Sequence, residues 1–332
     1  MGKQMKQKNV DLKRGELAMY AREGDWRRLP PIHGYWCQSF LAPKMRAVFG
    51  CEGVVEFFAQ GVAYTHEPSA PLRVLSVGSG LCQNEQKIAV RLQALGYDVH
   101  VECLEMSPER VATASDRFRQ EGVERIISVT EQDINEWQPG RIYDAIMANH
   151  ALHHFVELER LFDTCLACLT DAGRFLTNDM IGRNGHRRWP EVLAVLQSIW
   201  DTMPRKYKYN HPFGRFDDTY DDWDYSKRSF EGIRAQDIMP LLNERFDATH
   251  FAAEAGLIDP FIDRKYGHNF SRESAEDTAF IRQVGSMNEV LIDAGTTKPT
   301  LALGWFRKKT KRPPKQRCYR HWTAEFCTRE PG

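Results

Sequence analysis

One short stretch constrains the fold of this chain more than any other: an apolar strand that runs directly into two near-adjacent glycines. The sequence from Arg73 to Cys82 reads RVLSVGSGLC, and Gly78 and Gly80 follow its apolar half. Glycine has no Cβ and accepts positive φ, so the backbone can turn sharply there and approach a ligand closely. Residues 84–95 then read as the first helix of a βαβ unit.

The loop differs from a dinucleotide-binding loop in one respect. Such a loop reads G-x-G-x-x-G, and its third glycine lets helix and strand approach closely below a pyrophosphate. Here Leu81, Cys82 and Gln83 follow Gly80, so the third glycine is missing. A nucleotide-like ligand without a pyrophosphate therefore fits this loop better.

A second predicted strand, residues 98–105, ends in the carboxylate of Glu105. At the carboxyl edge of a parallel sheet, such a carboxylate can accept two hydrogen bonds from a ribose diol. The alternative is a surface acid that opens the next helix, since Ser107 is a good N-cap and Pro108 suits the first helical turn.

Further strands are predicted at residues 126–130, 142–148 and 173–177, with helical stretches between them. This alternation predicts a parallel sheet that is covered by helices on both faces. The fourth strand runs into Asn149-His150-Ala151-Leu152-His153-His154, and the fifth ends at Asn178-Asp179.

Together, the glycine loop, Glu105, Asp133 and the ending of the fourth strand resemble the class I S-adenosylmethionine-dependent methyltransferases. The resemblance covers residues 72–179 and, more loosely, two late strands at 246–253 and 300–306. It implies an α/β fold with a Rossmann-like, seven-stranded, mostly parallel sheet. It also implies S-adenosyl-L-methionine as the cofactor and in-line methyl transfer as the reaction. Within the family, the chain is similar to bacterial natural-product and sugar O-methyltransferases.

The resemblance implies a set of cofactor contacts. The residues concerned are Gly78, Ser79, Gly80, Glu105, Met106, Asp133, Ile134, Asn149 and His150. The glycine loop is expected to pass under the methionine portion, and Glu105 to hold the ribose hydroxyls. Asp133 is expected to accept a hydrogen bond from the adenine amino group, with the N–H of Ile134 facing a ring nitrogen and Met106 covering the ring. The two residues that end the fourth strand are expected near the amino-acid end.

The glycine loop departs from the family pattern at two positions. The acid that usually stands two residues before the first glycine is Ser76 here, and Cys82 stands in place of the third glycine. Both departures bear on the contacts at the methionine end more than on the fold.

A hydroxyl nucleophile must lose a proton, and a positioned general base typically contributes ~10²–10⁴-fold in rate. Histidine, with an ordinary pKa of about 6.5, can accept that proton, and a carboxylate can orient the ring. We predict that His153 or His154, with preference for His153, is the base and that Asp179 is its partner. The alternative is a histidine that packs or caps the next helix.

Additions flank and interrupt the methyltransferase domain predicted at residues 71–309. Residues 1–70 read as a helical leader, which acts as a lid or as a brace without substrate contact. A lid insertion is predicted at about residues 180–242, and residues 310–332 read as a basic, solvated C-terminal tail. Aromatic and polar side chains in these parts are candidates for contacts with a small-molecule or sugar acceptor: Tyr35, Trp36, Arg183, His186, Trp189, His268 and Asn269.

An acidic run at residues 217–224 lacks the glycine and the distal glutamate of an EF-hand loop. The run therefore predicts a solvated loop, and we expect no metal ion.

Composition excludes several other classes of protein. With 42% hydrophobic and 27% charged residues, the chain is neither disordered nor membrane-spanning. Its scattered cysteines indicate a reducing compartment, so we expect a cytoplasmic protein. A net charge of zero argues against nucleic acid as a partner, although residues 307–320 carry eight basic side chains. The alternative function is a non-catalytic S-adenosylmethionine-binding or RNA-associated protein, and the oligomeric state is left open.

Overall fold

The computed structural model describes residues 2–20, 28–64 and 71–329, which divide into two compact units. We call them the sheet unit and the helical unit. The sheet unit contains Met45–Met180, Gln236–Ala252 and Ala302–Gly332. The helical unit contains Met1–Lys44, Ile181–Ala235 and Ala253–Leu301.

The strands are short and most of them are strongly buried. In chain order they are β1 (Leu72–Val77), β2 (Val99–Glu105), β3 (Ile127–Glu131), β4 (Tyr143–Asn149), β5 (Leu169–Met180), β6 (Tyr209–Asn210), β7 (Arg215–Phe216), β8 (Phe246–Glu254), β9 (Leu301–Lys308) and β10 (Arg317–Cys318). Within the described residues, eight of them form one sheet in the order β10-β8-β9-β5-β4-β1-β2-β3. Strands β6 and β7 form a separate antiparallel pair.

The central strands pair in parallel, β3 with β2, β2 with β1, β1 with β4 and β4 with β5. Their carboxyl ends therefore meet at one edge of the sheet. Val74, Leu75 and Val77 of β1 are fully buried, as expected for a parallel strand covered on both faces. The predicted α/β fold with a mostly parallel sheet is confirmed.

Helices cover this sheet or build the helical unit. They are α1 (Gly2–Tyr20), α2 (Pro31–Trp36), α3 (Ala42–Phe49), α4 (Val54–Ala63), α5 (Gln83–Ala94), α6 (Pro108–Glu121), α7 (Leu158–Cys168), α8 (Pro190–Thr202), α9 (Ile238–Arg245), α10 (Asp259–Ile262), α11 (Ala275–Asp293) and α12 (Ala324–Cys327). A π-helical turn, Cys37–Leu41, joins α2 to α3. The sequence signals at α6 hold: the hydroxyl of Ser107 accepts the N–H of Arg110, and Gly122 ends the helix at a φ of +65°.

The residues predicted as a helical leader are divided between the two units. Its second part, from residue 45 onward, belongs to the sheet unit, because apolar side chains there pack on Trp305 of β9. The rings of Phe49 and Phe57 lie 5.1 and 5.9 Å from that indole. Gly61 of α4 allows a close approach, since a Cβ there would lie 2.6 Å from the indole nitrogen.

The C-terminal segment is folded where a solvated tail was expected. Residues Arg317–Cys318 form β10, which pairs in parallel with β8 and adds an eighth strand to the seven expected. Trp322 is fully buried and Thr323 caps α12. The basic composition concealed this outcome. Burial of one large indole favours a folded segment even though several charged side chains around it stay solvated.

No helix among the described residues is both long enough and apolar enough to cross a membrane.

Candidate functional site

The glycine loop turns sharply after β1. Gly78 and Gly80 have φ values of +67° and +56°, in the left-handed region that favours glycine. A Cβ at Gly78 would lie 2.9 Å from both the Cβ of Ala151 and the Cζ of Phe155. The loop therefore packs directly against the turn that follows β4, and the two predicted parts of the site are in contact.

Glu105 anchors this loop from the end of β2. Its two carboxylate oxygens accept the N–H groups of Gly80 at 2.8 Å and of Ser107 at 2.9 Å. The side chain is buried. A carboxylate offers about four lone-pair positions, so the two backbone bonds leave acceptor capacity for a diol.

The residues after β3 form a compact turn. One carboxylate oxygen of Asp133 accepts both the backbone N–H and the side-chain amide of Asn135, each at 3.0 Å. The backbone of Gln132 donates to the carbonyl of Glu105 at 2.9 Å, which ties this turn to the end of β2. Ile134 and Met106 are both half-buried. The predicted adenine-side residues therefore lie on adjacent strand ends.

The end of β4 is held to the end of β5. The side-chain amide of Asn178 donates to the amide oxygen of Asn149 at 3.0 Å, and the backbone N–H of His150 donates to the carbonyl of Asn178 at 2.7 Å. His150 has a φ of +49°, which is uncommon for a residue with a Cβ. Backbone strain of this kind is found most often at functional sites.

His153 and Asp179 form a buried pair. Nδ1 of His153 lies 2.5 Å from Oδ1 of Asp179, and Asp179 has no solvent exposure. Its other oxygen accepts the N–H groups of Ala151 and Leu152, each at 2.8 Å. The carboxylate is thus fixed by backbone donors on the same turn that carries the histidine. The ring of His154 lies 4.2 Å from that of His153.

The charges of this pair support one protonation pattern. Burial alone would raise the pKa of Asp179, but the adjacent His153 and the donated hydrogen bonds lower it below its usual value. Ionised Asp179 has no proton to donate, so the proton of the short hydrogen bond belongs to Nδ1 of His153. In the neutral ring, Nε2 is then the basic nitrogen.

The acceptor candidates all lie in the helical unit. The hydroxyl of Tyr35 accepts from Arg282 at 2.9 Å, while Trp36 is buried. His186 pairs through Nε2 with Glu231 at 2.7 Å. Arg183 donates to the carbonyl of Arg188 at 3.2 Å. These contacts fix the side chains within their unit, and a role toward an acceptor stays a prediction.

The remaining acceptor candidates contact the backbone or are buried. Asn269 donates to the carbonyls of Tyr207 and Tyr209, at 3.0 and 2.8 Å. Nε2 of His268 lies 3.1 Å from the carbonyl of Arg28. Trp189 is buried immediately before α8. The bonds of Asn269 are those of a residue that holds a loop in place.

The acidic run is not a solvated loop throughout, in contrast to the prediction. Asp217 is only 7% exposed, and its carboxylate accepts from Tyr266 at 2.7 Å and from Asn210 at 2.6 Å. Arg215 forms an ion pair with it at 2.7 Å. These donors lower the pKa of Asp217, although burial acts in the opposite direction. Tyr266 is 49 residues away and Asn210 is neutral, so the acidic run alone did not reveal these two donors.

One residue near the glycine loop was missed by the sequence analysis. Glu85, in the first turn of α5, is buried and accepts a hydrogen bond from the hydroxyl of Ser76 at 3.2 Å. The available signal was the absence of an acid at residue 76 together with an acid one helical turn beyond the loop.

The residues around the loop fit the predicted cofactor by their own chemistry. The position at Gly78 excludes any side chain, Glu105 keeps acceptor capacity, and Asp133 stands at the adjacent strand end. A nucleoside that carries an amino-acid group matches this set: the glycine loop allows close approach, one carboxylate can accept from a ribose diol, and the other can accept from an amino group.

Comparisons with known proteins agree with this assignment. The model of a family described as a methyltransferase domain matches residues 74–173. No curated protein matches the chain by sequence.

Several solved structures are similar in fold. An O-methyltransferase from the trans-AT PKS multienzyme of Brevibacillus brevis, in complex with S-adenosyl-L-homocysteine, is 13% identical, with 81% of this chain and 77% of that chain covered and a TM-score of 0.45. An O-methyltransferase segment of StiE is 10% identical over 86% of this chain and 84% of its own, with a TM-score of 0.45. The geranyl diphosphate C-methyltransferase of Streptomyces coelicolor A3(2) is 11% identical over 77% and 76%, with a TM-score of 0.44. At these identities and scores, the activities belong to those proteins alone.

Proposed function

Because the chain carries a class I S-adenosylmethionine-dependent methyltransferase domain, we propose that it transfers a methyl group to a hydroxyl oxygen of a small molecule or sugar unit. In this proposal, His153 is the general base and Asp179 is its partner. When bound, S-adenosylmethionine supplies an electrophilic methyl group on a cationic sulfur.

The observation that carries the proposal is the buried pair formed by His153, in the turn after β4, and Asp179, at the end of β5. Asp179 holds the ring in one orientation and one tautomer, with the proton on Nδ1. Nε2 of His153 can then take the proton of an acceptor hydroxyl as the oxygen attacks. Asp179 stabilises the imidazolium that results, because its carboxylate is ionised.

The position of this turn supports the same role. Gly78 contacts Ala151 and Phe155, so the cofactor loop and the turn with His153 form one local structure. Holding two reactants in such a fixed geometry can be worth effective molarities of ~10⁵–10⁸ M. Glu105 and Ser79 would act in binding only, the first by accepting from the ribose and the second by shaping the loop.

The presence of an oriented base favours an oxygen acceptor over a nitrogen acceptor. An alcohol is a poor nucleophile until it loses its proton, whereas a neutral amine attacks with its lone pair and loses a proton afterwards. A histidine held by a buried carboxylate is therefore more useful for a hydroxyl.

The test uses S-adenosylmethionine with a carbon-13 methyl group and a panel of acceptors with hydroxyl, amine, thiol and acidic C–H groups. We expect label in a product whose methyl chemical shift is that of an O-methyl group. Label on nitrogen, sulfur or carbon would replace the oxygen assignment. Tight cofactor binding without transfer to any acceptor would favour a non-catalytic protein.

A further inference from the structure

Glu85 is a buried acid that the proposed mechanism does not use. It lies in the first turn of α5, directly after the glycine loop, and its side chain is only 4% exposed. The hydroxyl of Ser76, which is itself fully buried, donates to one of its carboxylate oxygens at 3.2 Å. The carbonyl of Ser76 in turn accepts the hydroxyl of Ser79 at 3.2 Å. The acid is therefore connected to the loop through two serines.

The charges around Glu85 are few. Arg117 of α6 acts on it as a cation, but its guanidinium donates to Gln86 at 2.7 Å and to the carbonyl of Leu81 at 2.5 Å. Cys103 of β2 faces it as a second titratable group. Burial is the largest influence and raises the pKa of Glu85 to about 7, while its own backbone N–H, the hydroxyl of Ser76 and the charge of Arg117 lower it.

Burying a carboxylate whose side-chain donor is a neutral hydroxyl costs free energy, since the charged form loses its hydration. A cationic ligand bound close by would offset part of that cost. The ammonium group at the amino-acid end of S-adenosylmethionine supplies such a positive charge, and S-adenosyl-L-homocysteine carries the same group. The proposed function places it over the loop that Ser76 and Ser79 support.

We propose that Glu85 is a positioning residue for the cofactor, whose buried carboxylate, held by Ser76 beneath the glycine loop, supplies the negative charge that favours the ammonium group of the amino-acid end. The proposal rests on cofactor binding by the methyltransferase domain, and it does not depend on the acceptor. Binding of the cofactor then favours the ionised form of Glu85. By linkage, binding near neutral pH releases a proton.

The test is titration calorimetry with S-adenosyl-L-homocysteine at pH 7, in two buffers with different enthalpies of ionisation. For the unmodified protein we expect release of roughly half a proton, because a group with a pKa of about 7 is about half protonated there. Glu85→Gln should remove this release and weaken binding about tenfold. The binding measurement needs no acceptor, so failure to find a methylated product leaves it intact.

Two further variants separate charge from structure. Glu121→Gln is the matched control, since Glu121 at the end of α6 is an exposed acid that accepts from Gln86, the neighbour of Glu85 in α5. It should keep both affinity and proton release. The double variant Ser76→Asp with Glu85→Gln returns a carboxylate to the buried position beneath the loop, and it should recover most of the lost affinity.

Unchanged affinity and proton release in Glu85→Gln would overturn the proposal. A loss of affinity that Ser76→Asp does not recover would also overturn it, because a general disturbance of α5 would then explain the loss. Absence of binding by the unmodified protein would remove the cofactor site, and this proposal with it.

Discussion

Each of the two units contains a histidine paired with a carboxylate, and the two pairs differ in how they are held. In the sheet unit, Asp179 is fully buried and accepts backbone N–H groups from the turn that carries His153. In the helical unit, His186 and Glu231 are 2.7 Å apart, and their side chains are 16% and 25% exposed. The distances are similar, but the environments are not.

This difference indicates which pair is suited to act as a general base. A base must keep one orientation and one tautomer while it takes a proton, which requires fixed partners and little water. Asp179 has both properties, whereas the side chains of His186 and Glu231 are half-buried and stay partly open to water. Substitutions of corresponding residues in the two units test this difference.

The largest expected effect comes from the same substitution in both pairs. His153→Asn should lower kcat by about 10²–10⁴-fold, because the proposed base is lost. His186→Asn should leave kcat close to that of the unmodified protein and act, if at all, on the KM of the acceptor. Steady-state kinetics on the acceptor found in the panel measure both. An equal loss of kcat in the two variants would contradict the assignment of the general base to His153 alone.

A second prediction concerns the buried ion pair of the helical unit, Arg188 with Asp259. Asp259 also accepts from the backbone of Gly256 and the hydroxyl of Thr300, at 3.1 and 2.7 Å. Arg188→Met leaves this carboxylate without its cation, so the free energy of unfolding should fall by about 3–5 kcal/mol. Urea unfolding measures it.

The double variant Arg188→Met with Asp259→Leu is the control for that experiment. It removes both charges, so it should recover much of the lost stability. A loss below about 1 kcal/mol in the single variant would mean that this pair behaves as an exposed one.

A third prediction concerns the anchor of the glycine loop. Glu105→Ala removes the acceptor of the Gly80 and Ser107 N–H groups and the expected ribose contact. Cofactor affinity should fall by roughly 10- to 100-fold. Glu273→Ala, which changes an exposed acid of the helical unit, should leave cofactor affinity unchanged. Titration calorimetry with S-adenosyl-L-homocysteine measures both affinities. Equal affinities for the two variants would remove Glu105 from the cofactor site.

The smallest expected effect is a contrast in pH dependence. Burial raises the pKa of Asp263 in the helical unit to about 6, although the backbone of Lys265 and Tyr266 donates to it. The neutral form is therefore favoured by folding, and stability is lost as the pH rises through 6. Asp263→Asn should remove this loss and raise stability by about 1 kcal/mol at pH 8 and less at pH 5.

Asp179 has the opposite sign, because its pKa is lowered in the folded protein. Its contribution to stability is present at neutral pH and is lost only as the pH falls below the ordinary range of an aspartate. Thermal unfolding at pH 5 and pH 8 separates the two groups. A stabilisation by Asp263→Asn that is equal at both pH values would contradict the account of Asp263.

The sheet unit could be predicted to a large extent because its signals are local. The glycine loop, the acid that ends β2 and the polar residues that end β4 and β5 each follow a strand directly. Parallel pairing then brings these strand ends to one edge without any further information. The contact between Gly78 and Ala151 and the pair of His153 with Asp179 are consequences of that topology.

The helical unit could not be predicted in the same way, because its partners are distant in the sequence. Arg188 and Asp259 are 71 residues apart, and Tyr207 and Asp277 are 70 residues apart. No periodic pattern links such residues. Trp322 was missed for a different reason: a basic segment conceals the few apolar residues that decide whether it folds.

The most direct test of the central claim is a comparison of Asp179→Asn with the unmodified protein, measuring transfer of a labelled methyl group and cofactor affinity in parallel. An asparagine can hold the ring but carries no charge to stabilise the imidazolium, and it can favour the wrong tautomer. We expect nearly unchanged affinity for S-adenosyl-L-homocysteine and a rate of transfer that is lower by about 10²–10⁴-fold, no more than after loss of the base itself. Transfer at the unmodified rate by this variant would show that the charge of Asp179 does not assist the reaction.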